Sequence, residues 1–180
     1  MTGPYKSRTI IDGIEVEQIY HEPLFPFDKV NVKAIKIIAF DDEGKILGVK
    51  RGRTFDIPSG RLEWDDDDLT AATCREVYEQ ASVILGKVII SAVIENLPIQ
   101  SVTPPTHTVV MTGFINKVEP MPFGRENKRA FLDKELFLKR YRFGDPEALK
   151  RLIDMASFYT ELIRPRQCGK PPKKQIAEST

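Results

Sequence analysis

The sequence predicts an α/β sandwich, and three observations carry that prediction. Apolar runs rich in β-branched residues recur at 30–40, 87–95 and 107–118, the signature of buried strands. Two segments instead place their side chains at helical spacing, one around residues 75–80 and one from 146 to about 163. Strand-like and helix-like segments alternate within 180 residues, a length that buries one substantial core.

In chain order, residues 8–11 and 14–20 flank Asp12-Gly13, the turn dipeptide of a two-residue hairpin. The segment 22–27 (EPLFPF) is a Pro-punctuated connection. A strand, a turn and a strand follow at 32–40, 41–45 and 46–51. A short helix then carries Arg75, Glu76, Glu79 and Gln80. In the strand at 107–118, Val109, Met111 and Ile115 fall on one face and Val110, Phe114 and Val118 on the other, so both faces are read as buried. Asp145-Pro146-Glu147 supplies an N-cap, a proline at the first helical position and an acid behind it. Leu149, Leu152, Ile153, Ala156, Tyr159 and Ile163 keep that helix in period. From residue 164 the composition turns to Pro, Lys, Gly and Ser, and a disordered tail is expected. The expected organisation is a hairpin extension over 1–29, a domain over 30–163 and a tail over 164–180. No internal repeat is visible.

Composition narrows the function classes. Lys+Arg at 27 against Asp+Glu at 26 leaves a net charge of +1, which gives no electrostatic attraction to nucleic acid or membrane. Cys74 and Cys168 lie far apart and form no disulfide framework, so a cytoplasmic location is expected. No signal peptide and no membrane-spanning run is read in the sequence.

The stretch from Gly60 to Val83, GRLEWDDDDLTAATCREVYEQASV, carries the chemistry. Helical residues three and four apart share a face, so Glu76, Glu79 and Gln80 project together, with Asp66 or Asp67 available from the preceding loop. Clustered carboxylates need a compensating cation, and hard oxygen ligands suit Mg²⁺ or Mn²⁺. The plainer alternative is a solvated, ion-paired helix face, with Asp65 and Asp68 serving only the helix N-terminus.

This stretch resembles the Nudix box, G-x(5)-E-x(7)-R-E-U-x-E-E-x-G-U, where U is a bulky aliphatic residue. Gly60, Arg75, Glu76, Val77, Glu79 and Val83 match it. Three positions depart. The spacing from Gly60 to Arg75 is one residue too long, so the early acid falls on Asp66 counted forward or Asp67 counted back. Gln80 replaces the second glutamate of the pair, and Ser82 replaces the last glycine. Upstream, FDIPSG (55–60) is similar to the family's aromatic-x-aliphatic-Pro-Gly-Gly turn, and FLDKEL (131–136) to its late aromatic-x-x-x-Glu-Leu segment.

The resemblance covers about residues 30–163. It implies a mixed β-sheet between helices and Mg²⁺- or Mn²⁺-dependent hydrolysis of a pyrophosphate bond in a nucleoside diphosphate linked to another moiety, such as ADP-ribose or a nucleotide sugar. It implies metal contact through Glu76, Glu79 and the position of Gln80, with Asp66 or Asp67 as further candidates. Arg75 would position the acids, and Glu79 or Glu126 would be the base. A homodimer is a further expectation. Arg51 and Arg53 are candidates for phosphate contact, or an exposed strand-end pair. Phe55 either stacks on a base or is a buried aromatic of the turn. The Pro-rich loops at 97–106 and 119–128 are candidate rims of a nucleotide pocket. Gln80 limits what carries over: a carboxamide neither balances a divalent charge nor takes up a proton near neutral pH. The alternative function is therefore a Nudix domain that binds or senses a nucleotide without cleaving it.

Overall fold

The computed structural model describes residues 4–122 and 128–164. It contains nine strands and three α-helices among these residues. Strands β1 (Tyr5–Ile11) and β2 (Ile14–His21) form the predicted hairpin. Its turn is made by Asp12 at φ 50° and Gly13 at φ 80°. Positive φ at both central residues is what a type I′ turn requires, and it matches the twist of the flanking strands.

After a single 3₁₀ turn at Lys29–Asn31 come β3 (Val32–Phe40), β4 (Ile46–Arg51), β5 (Thr54–Asp56) and β6 (Ser59–Gly60). Val30 belongs to the 3₁₀ turn and is exposed, so the strand begins two residues later than the apolar run suggests. Helix α1 (Leu69–Ala81) leads into β7 (Val83–Pro98) and β8 (Thr106–Val118). β9 (Arg129–Leu132), α2 (Lys134–Arg140) and α3 (Pro146–Ile163) complete the described chain. The tail expected from residue 164 lies, beyond Arg164 itself, outside the described residues.

One mixed sheet runs in the order β1-β2-β7-β8-β3-β4-β5, with β6 pairing β3 and β9 pairing β4. The β3–β8 pair is parallel and its hydrogen-bonded neighbours are antiparallel. The N-terminal hairpin is woven into this sheet, because Val16–His21 pairs with Val93–Pro98.

Strand alternation sorts the core into two layers. Ile35, Ile37, Leu47, Val49, Val109 and Met111 pack on one face with Leu69, Ala72, Val77 and Ala81 of α1. Ile38, Phe40, Ile46, Ile94 and Val110 pack on the other with Phe137 of α2 and Leu149, Leu152, Ile153 and Ala156 of α3. The α/β/α sandwich expected from the sequence is the observed architecture, and the two-faced reading of β8 holds through Ile115. Val118 is exposed at the strand's end.

Candidate active site

Helix α1 begins with a side-chain cap: Asp68 accepts the Ala71 amide at 2.9 Å. Its buried stripe runs Leu69, Ala72, Thr73, Glu76, Val77 and Ala81, so a glutamate occupies a position that helical spacing gives to the core. Glu76 is 9 % exposed. Its carboxylate lies over β6 at Gly60, where a Cβ would overlap it. The bare Gly60 thus leaves room for the Glu76 carboxylate to lie against the sheet.

Two groups hold that carboxylate. Arg75 Nη1 donates to Glu76 Oε1 at 3.0 Å, and Gln80 Nε2 donates to Glu76 Oε2 at 2.7 Å. The Gln80 amide also donates to the Ser59 carbonyl at 2.6 Å, and its Oε1 accepts the Ser59 amide at 3.4 Å. Gln80 therefore clips α1 to β6 and presents an N–H edge to the acid beside it.

Arg75 is the hub of the box. Its Nε and Nη2 donate to the two oxygens of Asp66 at 3.1 and 2.8 Å, a bidentate pair. Nη2 also reaches the Arg61 carbonyl at 3.0 Å. Nη1 lies 3.3 Å from Glu63 and 3.7 Å from Glu79. The guanidinium beside Asp66 holds that carboxyl below the usual aspartate range. The Asp66 side chain is only 5 % exposed, and its oxygens already serve Arg75 and the Glu63 amide. Asp66 thus anchors Arg75, and the extra loop residue falls between it and the helix cap. Asp67 is exposed on the loop.

The Glu79 side chain is 54 % exposed whereas Glu76 is buried, so the two glutamates share a helix edge in different surroundings. The helix ends at Ser82, in the left-handed region at φ 51°, ψ 46°. Glycine suits this conformation; a serine pays about 1 kcal/mol there. Arg129 of β9 donates to the Ala81 and Ser82 carbonyls, placing a cation at the negative end of α1.

The other predicted residues are spread more widely. Arg51 lies 3.6 Å from Asp56. Arg53 is exposed in the turn between β4 and β5. Phe55 is 8 % exposed and packs in the second core layer, so the fold realises the buried-aromatic alternative rather than a base platform. Glu126 lies outside the described residues. Among the described residues, no three His, Cys, Asp or Glu side chains are grouped to hold a metal ion. Two open hollows, of about 630 and 710 Å³, lie away from the box, the first at Phe27, Lys29 and His107 and the second at Tyr5, Tyr20 and Arg151. Position alone separates both from this chemistry.

A second polar group escaped the sequence reading. Lys36 of β3 pairs in register with Ser59 and falls on the face that Ile38 and Phe40 bury. Burial lowers its ammonium pKa, with the Asp56 charge acting the other way. Burial raises the Asp56 carboxyl against the opposing influence of Lys36, the Ile57 amide and Arg51. Perturbed pairs of this kind gather at functional sites. The available signal was a lysine on the buried face of an apolar strand, where charges are rare.

The residues fit a divalent ion that arrives with its substrate better than an all-protein cage. Each carboxylate oxygen offers two lone-pair sites, so Glu76 keeps acceptor capacity beside Arg75 and Gln80. Mg²⁺ is commonly held by one or two carboxylates, waters and substrate phosphates.

With this geometry in view, the fold has close counterparts. The chain has the Nudix fold: it superposes on the Bacillus subtilis pyrophosphohydrolase BsRppH with a TM-score of 0.65 at 16% identity, over 86% of this chain and 97% of that one. It superposes on the Nudix domain of Shewanella oneidensis NrtR, solved with ADP-ribose, with a TM-score of 0.55 at 14% identity, over 72% and 88% of the two chains. A MutT protein from Bacillus halodurans gives 0.50 at 13% identity over 68% and 79%. No protein-family model and no curated protein matches the sequence.

Proposed function

We propose that this chain is a Mg²⁺- or Mn²⁺-dependent pyrophosphohydrolase acting on a nucleoside diphosphate linked to another moiety, with a metal grip that becomes strong only when the diphosphate is present. The observation that carries this reading is the Glu76 carboxylate seated over bare Gly60 and oriented by Arg75, one helical step from Glu79. The pyrophosphohydrolase among the structural counterparts and the ADP-ribose held by another lend it support.

Glu76 and Glu79 would hold the ion. When bound, it spreads the negative charge that builds on the phosphates during hydrolysis. The chain's own residues do the rest. Arg75, fixed by Asp66, keeps Glu76 aimed. Gln80 joins the helix to β6, so the acid and the turn move as one body. Glu79, half exposed, receives the proton of the attacking water. Arg51 contributes positive charge next to Asp56, on the path from β5 to the box.

The Gln80–Glu76 hydrogen bond favours a second reading, nucleotide binding without cleavage. The amide N–H supplies to Glu76 part of what a cation would supply, at no metal cost. A substrate panel with both metals separates the two. Product release from at least one nucleoside diphosphate derivative supports hydrolysis. A raised melting temperature with no product selects binding alone, and the absence of both overturns either reading.

A further inference from the structure

Trp64 is 96 % exposed, next to the most heavily hydrogen-bonded residues of the site. The turn that presents it is closed in both directions. The Asp66 amide donates to the Glu63 carbonyl at 3.2 Å, and the Glu63 amide donates to Asp66 Oδ2 at 2.8 Å. Trp64 is the second residue of that turn. Both sides are tied to Arg75, which binds Asp66 bidentately and also reaches the Arg61 carbonyl and the Glu63 carboxylate. The same guanidinium contacts Glu76. A large apolar ring is thus held outward on a rigid turn, one residue away from the network that orients the candidate catalytic acid.

We propose that Trp64 is the stacking platform for the nucleobase of the ligand; this rests on the nucleotide reading above. Three features select a base over other partners. An indole face stacks on any nucleobase, and a pre-ordered turn loses little entropy on engagement. Glu63, Asp65, Asp67 and Asp68 lie within four residues of Trp64 along the chain, and their negative charge keeps phosphate away from the turn and leaves it to the metal side. The exposed Asp65 and Asp67 carboxylates suit the N–H donors found on base edges. Phe55, the aromatic that sequence reasoning offered for this role, is buried.

Trp64 is the chain's single tryptophan, so its fluorescence reports on this position alone. The full chain is titrated with ADP-ribose, AMP and ribose 5-phosphate, and binding is followed in parallel by calorimetry. Saturable quenching by ADP-ribose and AMP, absent with ribose 5-phosphate, is expected. Trp64→Ala should weaken ADP-ribose binding about 10-fold while Trp64→Phe retains most of the affinity. Neither variant should change the melting temperature, because the side chain packs on nothing. Calorimetric binding of ADP-ribose without quenching, or with affinity untouched in Trp64→Ala, overturns the stacking role and leaves the function standing. Failure of all three probes and of every nucleoside diphosphate derivative to bind overturns both.

Discussion

Replacing Gln80 by glutamate tests the electrostatics of the site most directly. In the present chain the amide nitrogen sits 2.7 Å from Glu76 Oε2 and 2.6 Å from the Ser59 carbonyl, donating to each. Gln80→Glu would turn both contacts into acceptor against acceptor. Two carboxylate charges about 4 Å apart repel by about 4 kcal/mol at an effective dielectric near 20. Arg75, bonded to Glu76, offsets part of this, and a net cost of about 3 kcal/mol follows. For a domain of this size that is a drop of roughly 6–12 °C in metal-free buffer. Mn²⁺ should recover the loss, because an ion between the acids replaces repulsion with attraction, and hydrolysis should rise at least about tenfold. Melting curves with and without Mn²⁺, paired with initial rates on the substrate panel, read both effects. A variant that melts with the parent in both buffers and hydrolyses no faster would refute the reasoning.

Two further expectations follow from the same contacts. Gly60→Ala puts a methyl where the Glu76 carboxylate lies; the acid, at the end of a flexible chain, should swing away and lose its two partners. Chemical denaturation should show a loss of about 1–2 kcal/mol, while hydrolysis falls to background. Asp66 titrates below its unfolded value because of Arg75, so its contribution is present above about pH 4 and is lost as pH falls through the depressed native value. Asp66→Asn should therefore destabilise at pH 7, by about 1 kcal/mol because Arg75 keeps Glu63, Glu76 and Glu79 as partners, and its melting-temperature difference from the parent should close towards pH 2.

Much of the fold was legible because it rests on local periodicity. The apolar run that became β3, the two faces of β8 and the Asp145-Pro146 cap each depend on neighbours a few residues away. Strand order was not legible, since the pairing of β2 with β7 joins residues far apart and leaves no local mark. Short β5, β6 and β9 are defined by their partners rather than by their own two to four residues. Within the site, helical spacing placed Glu76, Glu79 and Gln80 along one edge of α1, where Gln80 does meet Glu76. It did not reveal that Glu76 is buried and Glu79 exposed, which depends on how α1 is rolled. Counting along the box left Asp66 and Asp67 equivalent, and only the reach of Arg75 distinguishes them. Lys36 stood out only as a charge in an apolar strand, and Asp56 becomes notable only where β3 meets the turn that brings it to Lys36.

The parallel pairing of β3 with β8 also bears on how the chain reaches its native state. The contact between Thr112 and the Ile38 carbonyl spans 74 positions, and the entire box lies inside the loop it closes. Closing such a loop costs entropy before the sheet repays it, a topology associated with slow folding. The β1–β2 and β7–β8 hairpins have local closures and can form early. Glu76 finds Gly60 only when β6 docks on β3. Assembly of the acidic site should accordingly be among the last events of folding, and ligand binding should report on completely folded molecules alone.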